Sequence, residues 1–123
     1  MSAALILLGH GSRAAAAGEQ FLQLVAQVRA RREEPVYPAF MELANPRLAD
    51  AVAEATKNGA TEIVVQPCFL FDGNHMRRDV PEMLAGFAAG HPEVRFRFGR
   101  PLGPDPRVAE ILLEHAEEAA WLD

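Results

Sequence analysis

Leu5-Ile6-Leu7-Leu8-Gly9-His10-Gly11-Ser12-Arg13 is an apolar run that stops at a histidine held between two glycines. Consecutive apolar residues of this kind suit a strand covered on both faces, as in a parallel sheet. Such a strand delivers an imidazole to a sheet edge, and the glycines on either side are expected to clear Cβ atoms from the path of a ligand. A second run, Cys68-Phe69-Leu70-Phe71-Asp72-Gly73-Asn74-His75, also ends in a glycine and a histidine.

Outward from the first stretch, a strand over Ala3 to Leu8 leads through the Gly-His-Gly-Ser turn into a helix ending near Arg32. Phe21, Leu22, Leu24, Val25 and Val28 follow helical spacing, and Arg29, Arg31 and Arg32 suit the negative end of its dipole. Val36 to Met41 reads as a second strand, placed at an edge because Pro38 donates no ladder bond. Glu42 follows in a loop, and Asn45-Pro46 predicts a helix start, a side-chain cap followed by a first-turn proline; that helix runs to Asn58 with Gly59 as its stop. Thr61 to Pro67, with Ile63-Val64-Val65, reads as a central strand. Cys68 to Arg78 is expected to be a long loop, and Asp79-Val80-Pro81 to open a third helix reaching about Ala89. Val94 to Phe98 alternates apolar and basic residues, which suits a strand with one more exposed face. Asp105-Pro106 then starts a last helix ending near Trp121.

Four strands alternating with four helices imply an α/β three-layer sandwich, with a mainly parallel four-stranded sheet and right-handed crossovers. The expected strand order is 2-1-3-4. In such sheets ligands bind beyond the carboxyl ends of the strands at the switch point, here between the first and third. His10, Glu42 and His75 all fall at that edge.

The bulk properties narrow the function. A chain of 123 residues, 50% hydrophobic, fits one domain over 1–123. A net charge of -5 argues against a general binder of nucleic acid or anionic membrane. Cys68 is the single cysteine, which excludes an intramolecular disulfide and suits a reducing, cytoplasmic setting. The N-terminus carries no signal-peptide pattern and Leu5 to Leu8 is far short of a membrane span, so a soluble, unprocessed protein is expected.

Two imidazoles and a carboxylate suit Co, Ni, Fe or Zn in the divalent state and suit Mg or Ca poorly. Histidine, with an ordinary pKa of about 6.5, can also take a proton near neutrality. Other residues read more plainly: His91 and His115 as surface groups, Cys68 as core rather than nucleophile, Phe96 and Phe98 as a packing face. Gly9-Xaa-Gly11-Ser12 has the shape of a phosphate cradle but lacks the third glycine of a dinucleotide fingerprint and the Lys of a P-loop. Ser12 has no nucleophile elbow around it.

Taken together, Leu8-Gly9-His10-Gly11-Ser12-Arg13, Phe40-Met41-Glu42-Leu43-Ala44-Asn45-Pro46, Pro67 to His75 with Asp79-Val80-Pro81, and Pro101-Leu102-Gly103 resemble the sirohydrochlorin cobaltochelatase family of class II tetrapyrrole chelatases. The resemblance covers nearly the whole chain, in order. It implies a chelatase, flavodoxin-like fold and nucleotide-independent insertion of a divalent metal, cobalt first with nickel or iron as alternatives, into sirohydrochlorin in cobalamin or siroheme-type biosynthesis. The metal is then substrate, and no permanently bound cofactor is expected; the alternative to an enzyme is a non-catalytic module holding a metal, a tetrapyrrole or a phosphate ligand in the same crevice. By position, His10 and His75 would be the metal ligands, His10 would also accept a pyrrole proton, and Glu42 would assist metal handling or proton removal. Asn45, Leu70, Phe71, Asp72, Gly73 and Asn74 match substrate-contacting positions. Arg13, Arg47, Arg77 and Arg78 are expected near the substrate's carboxylates. The short length resembles the small form of the family, in which a homodimer supplies what larger relatives build from two fused lobes.

Overall fold

In the computed structural model, residues 2–122 are described, except for the side chains of Asn74 and His75. The elements alternate: β1 (Ala3–Gly9), α1 (Ala15–Arg29), β2 (Val36–Phe40), α2 (Leu48–Lys57), β3 (Glu62–Pro67), α3 (Asn74–Gly90), β4 (Arg95–Phe98) and α4 (Pro106–Glu117). All strand pairs are parallel and the sheet order is β2-β1-β3-β4, as the alternation of strand and helix patterns predicts. β2 is an edge strand, with Pro38 opposite Leu7.

Residue alternation divides the core between the two faces of the sheet. Ala4, Ile6 and Leu8 of β1 and Ile63 and Val65 of β3 pack with Leu48, Ala51, Val52 and Ala55 of α2 and Val80 and Leu84 of α3. Leu5, Leu7 and Val36 pack on the opposite face with Val25 of α1, joined by Phe21 and Val28. Ile6, Leu8, Ile63 and Val65 are fully buried, each stabilising the fold by roughly 1.5–3 kcal/mol. β1 is therefore covered on both sides, as its unbroken apolar run requires.

Two helix starts differ from the sequence expectation. α2 begins at Leu48 with Arg47 as its N-cap, and the Asn45–Pro46 peptide is cis. Asn45 lies two residues ahead of that cap, and Asp50 does the capping, its Oδ2 accepting from the Arg47 N–H at 2.9 Å. α3 begins at Asn74 rather than Asp79, which shortens the loop after β3 and leaves Pro81 inside the helix. The interior proline removes one backbone donor, and Val80 at 0% and Leu84 at 5% exposure anchor the helix across it. α1 likewise closes at Arg29, three residues before Arg32. The last helix starts where expected: the Asp105 side chain accepts from the Arg107 N–H at 2.9 Å, with Pro106 in the first turn.

Candidate functional site at the carboxyl edge of the sheet

β1 ends at Gly9, so His10 stands just beyond the carboxyl end of the central strand, and it is exposed. Three loops converge around it. The first follows β2: the Met41 N–H donates to the Gly9 carbonyl at 2.9 Å and the Glu42 N–H to the His10 carbonyl at 3.1 Å. That register continues the β1–β2 ladder past both strand ends and puts Glu42 beside His10. The loop then folds back, with the Phe40 N–H donating to Pro46 O at 2.8 Å and Arg47 Nη1 to Met41 O at 3.1 Å. Leu43 takes φ 66° in this turn, a left-handed conformation that costs a non-glycine residue of order 1–3 kcal/mol.

The second loop follows β3. The Cys68 N–H donates to Leu8 O at 2.8 Å, which carries the chain past β1. Phe69 turns inward, 5% exposed, and its ring lies 3.9 Å from the His10 imidazole, tilted by 34°. A core-anchored aromatic thus holds one face of the histidine. The third loop, after β4, is tied to the second: Leu102 N–H donates to Phe69 O at 2.9 Å and Gly103 N–H to Leu70 O, while Gln66 Nε2 donates to Arg100 O at 2.6 Å.

The sequence-derived positions fall as follows. His10 and Glu42 are adjacent through their backbones, both exposed. Asn45 is exposed on the first loop. Leu70 and Phe71, 48% and 68% exposed, stand on the second loop with Asp72 and Gly73. The backbone of Asn74 and His75 forms the first turn of α3; their side chains lie outside the described residues. Among the described residues no three His, Cys, Asp or Glu side chains gather to hold a metal ion. Sequence reasoning missed Phe69, Leu43 and Leu102 as site neighbours. Leu43 and Leu102 are 49% and 52% exposed, and their signal was a large apolar residue in a turn that has no core to pack on. Phe69 carried no such signal, since its proximity to His10 depends on how two separate strands end.

The glycines act differently from the expectation that they clear a path for a ligand. Gly11 has φ 98°, and a Cβ there would run into the Glu42 carbonyl oxygen; a Cβ on Gly9 would stand 3.1 Å from the Phe21 ring. The protein itself occupies the freed space. Ser12 is engaged locally, its Oγ accepting from the Ala14 N–H at 3.0 Å. Beside His10 a cavity of about 210 Å³ is lined by Gly11, Phe21, Phe40 and Cys68. Burial pushes the Cys68 thiol up to about 11, against the smaller opposing effect of a backbone hydrogen bond from Leu8, so a protonated, inert thiol lines this wall.

The arginines near this edge are partly committed. Arg47 holds the first loop, and Arg77 Nη2 pairs with Asp72 Oδ2 at 2.7 Å, a hydrogen bond that raises the guanidinium pKa further. Arg78 Nε lies 3.9 Å from Asp79, and Arg13 is exposed on the turn after His10. A groove of about 490 Å³ lies at the opposite, amino edge of the sheet, and no histidine lines it.

The chain is similar to known proteins over most of its length. Residues 4–119 match the family described as CbiX. The chain is 31% identical to a sirohydrochlorin cobaltochelatase of Methanopyrus kandleri, over 94% of this chain and 96% of that protein. It is 30% identical to a sirohydrochlorin ferrochelatase of Bacillus subtilis, over 96% of this chain and 46% of that protein. The crystal structure of the sirohydrochlorin chelatase SirB from Bacillus subtilis subspecies spizizenii in complex with cobalt superposes with a TM-score of 0.90 at 30% identity, covering 98% of this chain and 52% of the other.

Proposed function

This chain belongs to the CbiX family, and from that premise we propose that it is an enzyme that inserts a divalent metal into sirohydrochlorin, acting as one chelatase domain over 1–123. The observation that carries the reading is the setting of His10: an exposed imidazole at the carboxyl edge, braced on one face by Phe69 and flanked by Glu42. On the loops at the same edge, Leu43, Leu70, Phe71 and Leu102 are all about half exposed or more. Exposed apolar side chains beside polar ligands suit a flat macrocycle with carboxylates at its rim. The curated relatives include a cobaltochelatase and a ferrochelatase, which supports catalysis over passive binding.

In this reading the metal is substrate. His10 and His75 take the dication from water, and His10 with Glu42 receives the two pyrrole protons that leave as the metal enters, so charge balances. A site of two imidazoles and a carboxylate suits Co, Fe or Ni and holds them weakly enough to let them go. Cobalt is the first expected metal, in a cobalamin or siroheme-type route. Asn45 and the Leu70 to Asn74 segment contact the macrocycle. Neither nucleotide nor resident cofactor takes part. The protein works in the cytoplasm as a homodimer, because a macrocycle is wide for the crevice of a 13.4 kDa chain. Among the described residues no helix is long and apolar enough to cross a membrane.

The test is a metallation assay: sirohydrochlorin is mixed with Co²⁺, Fe²⁺ or Ni²⁺ and the absorption change of the macrocycle is followed with and without protein. Acceleration with at least one metal is expected, abolished by His10→Ala and by His75→Ala. Full activity in either variant overturns the assignment. Macrocycle binding without any acceleration identifies a binding module instead.

A further inference from the structure

Residues 99–105 form the third loop of the site, and the backbone of that loop is pinned along its length. The Gly99 N–H donates to Val65 O at 2.9 Å, just past the end of β4. The half-buried Gln66 side chain then bridges two loops, its Nε2 donating to Pro67 O at 3.1 Å and to Arg100 O at 2.6 Å. A Cβ on Gly99 would run into that same amide, so a larger residue there would push Gln66 off the loop. The Leu102 and Gly103 N–H groups donate to Phe69 O and Leu70 O. A loop fixed in this way need not be ordered when a ligand arrives, which lowers the entropic cost of binding.

Between this loop and the one after β3 runs a groove of about 360 Å³, with Phe71 and Leu102 as its exposed apolar walls and Asp72, Arg100 and Asp105 as its charged groups. Both carboxylates already have partners. Asp72 Oδ2 accepts from Arg77 Nη2 at 2.7 Å, and Asp105 accepts from Arg107 Nε and Nη2 at 2.9 and 2.8 Å. The hydrogen bonds from Arg107 are the main reason the Asp105 carboxyl lies well below the usual carboxylate range, and the Arg100 charge is the least of the influences on it. The Arg100 side chain is exposed and has no hydrogen bond or ion pair among the described residues. With each carboxylate matched by its own arginine, the groove keeps one unmatched positive charge, on a chain whose net charge is -5.

We propose that Arg100 is a carboxylate-binding residue of the substrate site, its guanidinium taking one carboxylate arm of the macrocycle in the groove between Phe71 and Leu102. The proposal rests on the sirohydrochlorin reading above and names a residue that selects for a polycarboxylate. A guanidinium presents forked donors that fit the two oxygens of a carboxylate. The apolar walls keep water from part of the pair, which strengthens it. Arg47 and Arg77, on the neighbouring loops, are engaged with the protein itself, whereas Arg100 is open to a ligand.

Equilibrium titration of sirohydrochlorin without metal, at about 0.15 M ionic strength and followed by the absorption of the macrocycle, tests it in Arg100→Ala, Arg100→Lys and Arg31→Ala. The last is a charge control: Arg31 is exposed just past the end of α1, beside the amino edge where its neighbour Arg32 lines a groove. Arg100→Ala, with far-UV circular dichroism confirming that it folds, is expected to raise Kd by about fivefold. Arg100→Lys, which keeps the charge, recovers most of that loss, and Arg31→Ala binds like the wild type. An unchanged Kd in Arg100→Ala, or an equal rise in Arg31→Ala, overturns the subsite while leaving the chelatase reading to the metallation assay. A wild type that does not bind sirohydrochlorin overturns both.

Discussion

Gly11 is the residue on which the site's geometry turns. Its φ of 98° and the Glu42 carbonyl occupying its missing Cβ position mean that any side chain there both strains the backbone and displaces the loop that carries Glu42. Gly11→Ala is expected to lower stability by about 2 kcal/mol or more and to slow metallation, measured by urea unfolding beside the sirohydrochlorin assay. An unchanged unfolding midpoint would show that the loop gives way freely. The His-between-glycines pattern was legible in the sequence, but its purpose was misread: the glycines admit Glu42 and Phe21, which are remote in sequence, and only the fold brings them there.

Among elements, α4 depends most on its cap. The Asp105 carboxylate accepts from the Arg107 guanidinium and from the Arg107 backbone N–H. The side-chain hydrogen bond, the larger influence, and then the backbone one hold that carboxyl well below the usual carboxylate range. A folded pKa below the unfolded one contributes stability that is present above about pH 4 and is lost as pH falls through the folded value. Amide exchange of α4 should therefore stay slow down to the ordinary carboxylate range and quicken only below it. Asp105→Asn, which keeps an acceptor without a titrating charge, should flatten that dependence; an identical profile in the variant would remove Asp105 as its origin. The same Asx-Pro signal succeeded here and failed at Asn45-Pro46. At Asp105 the carboxylate reaches the Arg107 backbone N–H directly, whereas at Asn45 the chain must first return to β2, which the Phe40–Pro46 hydrogen bond accomplishes. At α3 the Pro81 signal gave way to Val80 and Leu84, whose burial carries the helix through the proline.

At the scale of the molecule, the proposed homodimer couples folding to association. The thermal midpoint is then expected to rise with protein concentration in the wild type, read by differential scanning calorimetry. A midpoint that ignores concentration in the wild type would sever the two. Hydrophobic periodicity by itself determined the α/β class, the parallel sheet and its order, because a strand apolar on both faces must be covered by helices and right-handed crossovers leave few ways to do it. The same pattern placed His10 and Glu42 at one edge, since strand ends of a parallel sheet share a side. The tertiary structure alone decided that Phe69 braces the imidazole, that the loops of Leu43 and Leu102 meet at its edge, and that α4 buries none of its residues. Each of these depends on loops meeting across the sheet and on which face a helix reaches, and neither is written in local spacing.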